Sequence, residues 1–462
     1  MIDLRDKKVL VVGLGKTGQS VLPVLERLGA RIQATDSRAS PPDIDALKSR
    51  HPSIEWRLGG FDPAVFADQD LIVVSPGLAQ SDPAFVRARA AGVRIIGDIE
   101  LFYALAQAPI VAITGSNGKS TVTTLVAEMA AAAGLKMKAG GNLGTPALEL
   151  LPQAGEQVGL YVLELSSFQL ELIESFRPRV AAVLNLSEDH MDRYAGFADY
   201  VAAKARIFAN MQPGDTLVLN GTDAATTALA AQAPRGVQVV LFGRKIPAGS
   251  GNVRVLDQGF GEYLTLDGAQ GSSYAVLPVH ALQILGEHNL ENAMAAVAIA
   301  FAAGVPLPAA ASALKSFRGL PHRMVKVAEI NRVSYFNDSK GTNVGATAKA
   351  LAGLPGPVIP ILGGDCKGAD LRPLRQALEG KARAAILIGR DAPLIETVIQ
   401  GVVPIHQVSS MPEAVKLAAE LARPGDQVLL SPACASLDMF RDYAERGRVF
   451  SEAVQQLPGE RA

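Results

Sequence analysis

The hydrophobic residues of this chain fall into short runs, most of which are followed at once by glycine or polar residues. Uninterrupted runs of this kind are typical of parallel strands that are buried on both faces. Strands are therefore predicted at residues 8–12, 31–35, 71–74, 110–113, 160–163, 180–186, 217–219, 239–242, 263–266, 333–336, 358–362, 384–388 and 428–430. Helices are predicted between them, for example at residues 122–133, 197–211 and 286–303. This alternation indicates an α/β fold with mainly parallel sheets.

The segment Thr114–Thr121 reads TGSNGKST and lies between a predicted strand and a predicted helix. Backbone N–H groups of such a loop and the helix N-terminus bind phosphates, and the lysine reaches the outer ones. The hydroxyl that follows the lysine is suited to Mg²⁺. Ile113 stands where the common form of this motif has a glycine. The segment predicts ATP binding, and the alternative is an ordinary turn between strand and helix.

A second glycine motif follows the first predicted strand, where residues 13–18 read GLGKTG. With an acid, Asp36, at the end of the next strand, it matches the fingerprint of dinucleotide-binding folds. Taken alone, the fingerprint suggests NAD. The same glycines suit any phosphate-bearing nucleotide at a helix N-terminus, so that alternative stays open.

Polar side chains follow two further strands of the central segment. Glu164 and His190 would emerge at the same edge of a parallel sheet as Lys119, where they could bind Mg²⁺. Helix capping or an ion pair for Glu164, and a scaffold role for His190, are the alternatives. Asn289 and Asn292 share one helix face, where they could contact adenine or cap the helix.

The last third of the chain carries four apolar strands that each end in a polar loop. The chemistry-bearing residues of these loops are Asp338, Lys340, Lys367 and Ser436. Two lysines and a hydroxyl suit a small anionic substrate, and solvated surface charge is the alternative. Cys366 and Cys434 are interpreted as small packing residues, because no pattern pairs either one with a base.

Length and chain breaks predict three domains. The 462 residues exceed one typical domain, a new helix opens after Gly97, and Gly319-Leu320-Pro321 interrupts the chain again. Domain limits of 1–97, 98–318 and 319–462 are therefore predicted. Each domain should contain a mainly parallel sheet. The first and third would be Rossmann-like, and the central one would resemble a P-loop ATPase.

The composition of the chain limits the classes of partner that it is expected to bind. The 44 Lys and Arg residues nearly balance the 45 Asp and Glu residues, which argues against binding to nucleic acid or an anionic membrane. Two distant cysteines do not form a disulfide framework, which fits a cytoplasmic location. No apolar run approaches the ~20 residues that a membrane span needs.

The chain resembles the Mur ligase family of peptidoglycan synthesis almost from end to end. The matching segments are GLGKTG, SPGL, GDIELF, TGSNGKST, GGNLG, ELSSFQLE, EDHMDRY, GEHNLENAMAA, GLPHR, NDSKGTN, LGGDCKGAD and SPACASLDMF. SPGL, ELSSFQLE and SPACASLDMF are similar to the member that adds D-glutamate to UDP-N-acetylmuramoyl-L-alanine. The resemblance implies ATP and two Mg²⁺ ions, an acyl-phosphate intermediate, and UDP rather than NAD on the first glycine loop. A monomer that binds only small molecules is expected.

The resemblance also assigns roles to individual positions. The implied ATP-binding residues are Gly115, Ser116, Asn117, Gly118, Lys119, Ser120, Thr121, Asn289, Asn292 and Arg323. The implied residues for the UDP-linked substrate are Lys16, Thr17, Ser37, Arg38, Gly77, Asn142 and Ser166. The implied D-glutamate-binding residues are Thr342, Lys367, Ser436, Leu437 and Tyr443. The implied catalytic residues are Lys119, His190, Lys204, Asp338 and Lys340. The implied metal ligands are Ser120, Glu164, His190 and Lys204, the last as a carbamate.

Lys204 shows how much the resemblance adds. From its position in a predicted helix it is interpreted as a surface lysine, although burial would favour the neutral amine that reacts with CO₂.

Two rival functions remain at this point. An oxidoreductase would explain only GLGKTG, and a non-catalytic ATP-binding protein would not need Glu164, His190 and Lys204.

Overall fold

Three sheets follow one another along the chain in the computed structural model, which describes residues 2–259, 261–284 and 286–461. The first sheet has the order β3-β2-β1-β4-β5, and all of its pairings are parallel. Its strands are β1 (Lys8–Val12), β2 (Arg31–Asp36), β3 (Glu55–Leu58), β4 (Leu71–Val74) and β5 (Arg94–Gly97). The apolar runs of β1 and β4 lie at its centre, where helices cover both faces.

The central sheet has the order β14-β13-β12-β11-β10-β9-β6-β8-β7. It is parallel from β7 to β12, and β12, β13 and β14 form an antiparallel meander at its edge. Its strands are β6 (Ile110–Thr114), β7 (Met137–Gly141), β8 (Leu160–Glu164), β9 (Val180–Val183), β10 (Thr216–Asn220), β11 (Gln238–Phe242), β12 (Val253–Asp257), β13 (Glu262–Asp267) and β14 (Ser273–Pro278). Because β6 pairs with β8 and β9, the ends of these three strands lie side by side.

The third sheet has the order β15-β16-β20-β17-β18-β19, with only the β15–β16 pair antiparallel. Its strands are β15 (Val325–Ile330), β16 (Val333–Asn337), β17 (Val358–Gly363), β18 (Ala385–Ile388), β19 (Ile405–Gln407) and β20 (Gln427–Leu430). The α/β class with mainly parallel sheets is confirmed. The domain limits 1–97, 98–318 and 319–462 stay a prediction.

Helices cover both faces of the sheets. They are α1 (Lys16–Arg27), α2 (Ile44–Arg50), α3 (Pro63–Ala67), α4 (Pro83–Ala90), α5 (Asp98–Leu105), α6 (Lys119–Ala132), α7 (Ser167–Leu170), α8 (Phe197–Ala205), α9 (Ala224–Leu229), α10 (Glu287–Ala302), α11 (Leu307–Ser316), α12 (Val344–Gly353), α13 (Pro373–Leu378), α14 (Ala392–Ile399), α15 (Met411–Leu421) and α16 (Tyr443–Gln455). Within the described ranges, none of them is long and apolar enough to cross a membrane.

The sequence pattern identified the central strands and missed several strands at or near the sheet edges. β1 and β4 have the predicted bounds, and β9 ends at Val183 rather than at residue 186. β3 was missed because exposed and half-buried residues alternate along it, and β19 because none of its three residues is fully buried. An apolar run marks a strand that is covered on both faces, so a half-exposed strand lacks that signal.

The first two sheets are joined at the start of α5 by a buried carboxylate. Glu100 accepts hydrogen bonds from the backbone N–H groups of Glu174, Ser175 and Phe176, at 2.9, 2.9 and 3.1 Å. Its side chain is 2% exposed, so water cannot replace it as the acceptor. Glu100 therefore fixes α5 against the segment that follows α7.

We expect Glu100→Ala to destabilise the protein by about 3 kcal/mol, because three backbone donors lose their charged acceptor inside the protein. The neighbouring Glu174→Ala is the matched control. The Glu174 side chain forms an exposed ion pair with Arg94, whose loss costs less than about 1 kcal/mol. Urea unfolding of both variants measures the difference, and equal losses would contradict this account of Glu100.

Candidate active site

The phosphate-loop segment Thr114–Thr121 lies where a phosphate-binding loop is expected, at the end of β6 and the start of α6. Gly118 precedes the helix with φ 82°, a left-handed conformation that favours glycine. Lys119 Nζ donates to Gly115 O at 2.8 Å and to Ser116 O at 2.9 Å. The pKa of the Lys119 amine is lowered, mainly because the amine is buried. The ammonium thus lies over its own loop.

A close packing contact restricts position 118. A Cβ atom there would lie 2.3 Å from Asn292 Oδ1. Asn292 is 8% exposed and donates to Asn289 Oδ1 at 3.2 Å, so its side chain has little freedom to retreat. Asn292 therefore lies directly against the loop, and Asn289 lies beside it on the same helix face.

A first cavity lies between α6, α10 and the third sheet. Its lining includes the loop residues Asn117, Gly118 and Thr121, both α10 asparagines, and Arg323, Asp338, Lys340 and Lys349. Most of the residues predicted to contact ATP thus line one cleft. Lys349 was not predicted, because nothing in the sequence separates it from other exposed helix lysines.

A second cavity of about 390 Å³ adjoins the first and draws residues from all three sheets' loops. The two cavities share Asn117, Gly118, Arg323 and Lys340. Predicted residues that line the second cavity are Gly77, Ser116, Asn117, Gly118, Lys119, Ser120, Asn142, Glu164, Ser166, His190, Lys204, Arg323, Lys340, Thr342 and Lys367. The complete lining of this cavity contains five basic side chains and two carboxylates. This excess of basic groups suits a polyanionic ligand.

Lys204 is buried in this cavity wall and does not lie on the surface. It is 2% exposed, its Nζ donates to Gly115 O at 2.9 Å, and it lies 4.7 Å from the centre of the Tyr200 ring. Burial and the nearby Lys119 cation lower the pKa of Lys204 well below its usual value. The interpretation as a surface lysine is therefore wrong.

Glu164 combines an engaged oxygen with an unpaired one. Oε1 accepts from Asn142 Nδ2 at 2.7 Å, whereas the buried Oε2 has no hydrogen-bond partner among the described residues. An unpaired buried carboxylate oxygen is costly unless a cation approaches it, which fits a metal ligand. In the described part of the chain, no group of three or more His, Cys, Asp or Glu side chains could hold a metal ion by itself. Any metal here needs other oxygen ligands.

His190 adopts φ 59° in the loop after β9. Burial lowers the pKa of His190 to about 4. The Lys367 cation adds to this lowering, whereas the Asp189 carboxylate opposes it. The imidazole is therefore neutral near pH 7 and can act as a ligand or acceptor. Lys367 Nζ lies 3.9 Å from Asp189 Oδ1, which draws a loop of the third sheet toward this histidine.

Asp338 and Lys340 reach the cavities from the end of β16. Asp338 Oδ2 accepts from Ser431 Oγ at 2.8 Å, and burial raises the pKa of Asp338 to about 7. Lys340 Nζ lies 3.9 Å from the centre of the Tyr443 ring. Burial and the nearby Arg323 charge lower the pKa of Lys340 to about 8, so most of it is still cationic at pH 7.

Polar contacts join the phosphate loop directly to the third sheet. Arg323 donates to Ser120 Oγ at 2.7 Å, and the Asn117 and Asn343 side chains exchange hydrogen bonds at 3.0 and 3.3 Å. Asn185 fixes the loop from β9, since it accepts from Asn117 N at 2.8 Å. Asn185 and Asn343 were both missed. Asn185 lies just beyond an apolar strand and Asn343 is the N-cap of α12, and neither position by itself indicates a contact with the phosphate loop.

The first glycine loop carries a fully engaged acid. Asp36 accepts from Leu14 N at 2.7 Å and from the Arg38 guanidinium at 2.8 Å. Burial alone would raise the pKa of Asp36, but the Arg38 and Leu14 hydrogen bonds hold it at about 2. Lys16 and Thr17 begin α1 at this loop, and Ser37 and Arg38 follow β2 at the same sheet edge. These four residues do not line the second cavity.

Three residues predicted to contact D-glutamate are not among those lining either cavity. Ser436 is buried and Leu437 is 71% exposed in the loop after β20, while Tyr443 begins α16 and contacts Lys340. Ser166 lines the second cavity and also caps α7 by a hydrogen bond with Gln169. Cys366 and Cys434, predicted to be packing residues, are buried with Sγ atoms 2.6 Å apart.

The fold and the two joined cavities define a nucleotide-binding α/β protein of the phosphate-loop class. Three family models match the chain: "Mur ligase MurD-like, N-terminal domain" at residues 7–97, "Mur ligase middle domain" at 113–300, and "Mur ligase, glutamate ligase domain" at 322–434.

Relatives match over nearly the whole length. The UDP-N-acetylmuramoylalanine--D-glutamate ligase of Pseudomonas aeruginosa is 48% identical over 97% of this chain and 98% of its own. The protein of the same name from Marinobacter nauticus is 47% identical over 98% and 99%. The chain belongs to the Mur ligase family.

Solved structures show the same fold at low identity. The UDP-N-acetylmuramate-alanine ligase of Thermotoga maritima has a TM-score of 0.60 and 20% identity, over 97% of this chain and 99% of that one. A pseudomurein peptide ligase type C of Methanothermus fervidus also has a TM-score of 0.60, with 18% identity over 98% and 100%.

We expect Gly118→Ala to weaken binding of an adenine nucleotide by about tenfold or more. The added Cβ would displace Asn292 from the loop, and the positive φ adds strain. Gly134→Ala is the matched control, because Gly134 has φ 77° with no atom within 4 Å of an added Cβ. Both variants should lose about 1 kcal/mol of stability to backbone strain. Calorimetric titration with ATP separates them, and equal affinities would contradict the packing argument.

Proposed function

We propose that the chain is an ATP-dependent ligase that joins D-glutamate to UDP-N-acetylmuramoyl-L-alanine and releases ADP and phosphate. The observation that carries the proposal is the second cavity, where a phosphate loop, five basic side chains and loops from all three sheets meet. The names of the relatives supply the substrates. The product is a precursor of peptidoglycan. Activity as a monomer in the cytoplasm is part of the same proposal.

The reaction has two steps. The carboxylate of the alanyl substrate attacks the γ-phosphorus of ATP, so the bond from that phosphorus to the bridging oxygen breaks and ADP leaves. The amine of D-glutamate then attacks the acyl carbon of the acyl phosphate, and phosphate leaves as the amide forms. The amine gives up a proton in this step. Negative charge concentrates on the transferring phosphoryl group, and it needs fixed positive charge nearby.

The cavity residues divide this work by position. Lys119 and the loop N–H groups would bind the ATP phosphates, because they occupy the helix N-terminus. Arg323, Asp338 and Lys340 would bring charge from the third sheet, while Asn289 and Asn292 would frame the nucleotide base. The shared lining residues Asn117 and Gly118 would lie between the nucleotide and the acyl substrate.

The residues of the second cavity can hold Mg²⁺, and Lys204 can be one of the ligands only if it is carbamylated. Ser120 and Glu164 would hold one ion, and His190 and Lys204 would hold a second. The unpaired Glu164 oxygen supports the first of these sites. Bound there, Mg²⁺ would neutralise phosphate charge. A lysine ammonium cannot bind a cation, so Lys204 can join the set only as a carbamate. Its depressed pKa favours the neutral amine that forms one with CO₂.

The first glycine loop would hold the UDP end of the substrate. A dinucleotide fold uses the acid after its second strand for the ribose hydroxyls of NAD. Here both Asp36 oxygens are already occupied by Leu14 and Arg38. That engagement argues against NAD and leaves Lys16, Thr17, Ser37 and the Arg38 loop for a uridine diphosphate.

The D-glutamate site would be formed by loops of the third sheet. Thr342 and Lys367 line the second cavity, and Lys367 supplies a cation for a carboxylate. Ser436, Leu437 and Tyr443 would complete the site from the β20 loop and α16. Because the amine must reach the acyl carbon, this site has to open toward the cavity.

Phosphate release tests the function. ATP and UDP-N-acetylmuramoyl-L-alanine are supplied with D-glutamate, L-glutamate, L-lysine or meso-diaminopimelate, and release is expected with D-glutamate alone. Lys119→Ala is the inactive control. Release with a different amino acid would contradict the substrate, and no release with any of them would contradict the ligase. Tight binding of NADH would favour an oxidoreductase instead.

Lys204→Ala should abolish phosphate release, and added short-chain carboxylates should restore part of it by replacing the carbamate oxygens. Lys315→Ala, an exposed lysine near the end of α11, is the matched control and should change nothing. Carbon NMR with ¹³C-bicarbonate gives a readout apart from activity, since the parent should show a carbamate signal that Lys204→Ala lacks. A parent chain without this signal, together with no rescue, would contradict carbamylation.

A further inference from the structure

Arg446 is a buried cation that lies under the loops of the third sheet. It lies in the first turns of α16 and is 1% exposed. No carboxylate among the described residues forms an ion pair with it, and Asp438 acts on it only from a distance. Burial lowers the pKa of Arg446 to about 10, so it remains charged at pH 7. An unpaired buried charge is expensive, so its retention needs a physical explanation.

The guanidinium binds three strand-end loops at once. It donates to Ser339 Oγ at 3.1 Å and Ser339 O at 2.9 Å after β16. It also donates to Cys434 O after β20 at 3.1 Å, and to Gly363 O at the end of β17 at 3.5 Å. Only arginine presents enough donors in a planar fork to do this.

Each of these loops continues directly into a residue of the second cavity or of the proposed amino-acid site. Ser339 is followed by Lys340, the Gly363 loop leads to Lys367, and Cys434 precedes Ser436 by two positions. The β17 and β20 loops also pair with each other through Asp365 and Ala435. Arg446 itself does not line either cavity.

We propose that Arg446 is a positioning residue that sets the affinity for the amino-acid substrate by holding the loops of Lys340, Lys367 and Ser436 in register. The proposal rests on the proposed function, which supplies that substrate. Loss of the guanidinium would free three backbone carbonyls and let these loops drift apart. A shift of about 1 Å at a binding group is enough to weaken a reaction strongly.

Arg446→Met tests this, with Arg446→Lys as a variant that keeps the charge but provides fewer donors in a different geometry. The KM for D-glutamate should rise by about tenfold or more in Arg446→Met, the size expected when a charged hydrogen bond is lost. Arg446→Lys should show a smaller rise. The KM for UDP-N-acetylmuramoyl-L-alanine should stay within about twofold, since none of the residues proposed to bind that substrate lies in the three loops that Arg446 contacts. Arg448→Met, an exposed arginine of the same helix paired with Glu452, should match the parent.

The proposal is overturned if the KM for D-glutamate stays within about twofold in Arg446→Lys and in any folded Arg446→Met protein. It is also overturned if both KM values rise equally or if only kcat falls, because a purely structural role gives those patterns. Thermal unfolding identifies an unfolded Arg446→Met, and Arg446→Lys then decides. A parent chain that does not use D-glutamate at all contradicts the proposed function rather than the role of Arg446.

Discussion

The candidate site brings together more basic side chains than its own carboxylates can match. Five basic side chains but only two carboxylates line a cavity of about 390 Å³. Like charges at this separation repel, and burial adds the cost of lost hydration. Both effects appear in the lowered pKa values of Lys119, Lys204 and Lys340. A polyanionic ligand such as ATP would relieve that repulsion.

The sheets make such a concentration possible. In each sheet the parallel strands present their carboxyl ends at one edge, where irregular loops can hold polar groups that a regular strand could not. The phosphate loop after β6 and the loops after β8, β9 and β16 then meet without any long connection between them. Direct polar contacts, such as Asn117 with Asn343 and Arg323 with Ser120, replace the apolar packing that joins elements within a sheet. The third sheet is thus joined to the phosphate loop by side chains that can also bind a ligand.

Sequence reasoning succeeded where a signal is local and failed where it depends on burial. TGSNGKST, the central strands and the paired α10 asparagines could be predicted because spacing alone determines them. The burial of Lys204 could not be predicted from the residue pattern, since a lysine among small residues gives the same pattern on an exposed and on a covered helix face. Asn343 and Arg446 were missed for a related reason. Asn343 contacts Asn117, 226 residues away in the chain, and Arg446 contacts Ser339, 107 residues away.

Ile113 shows how a departure from a motif acquires a physical meaning. In the common form a glycine at this position begins the loop, whereas here β6 continues to Thr114 and the loop begins only at Gly115. Ile113 is fully buried between β8 and β9 and packs into the central core, so a glycine there would leave a hole. In this loop Gly115 O lies 2.8 Å from Lys119 Nζ and 2.9 Å from Lys204 Nζ. One carbonyl oxygen thus accepts hydrogen bonds from both lysines beside the phosphate loop.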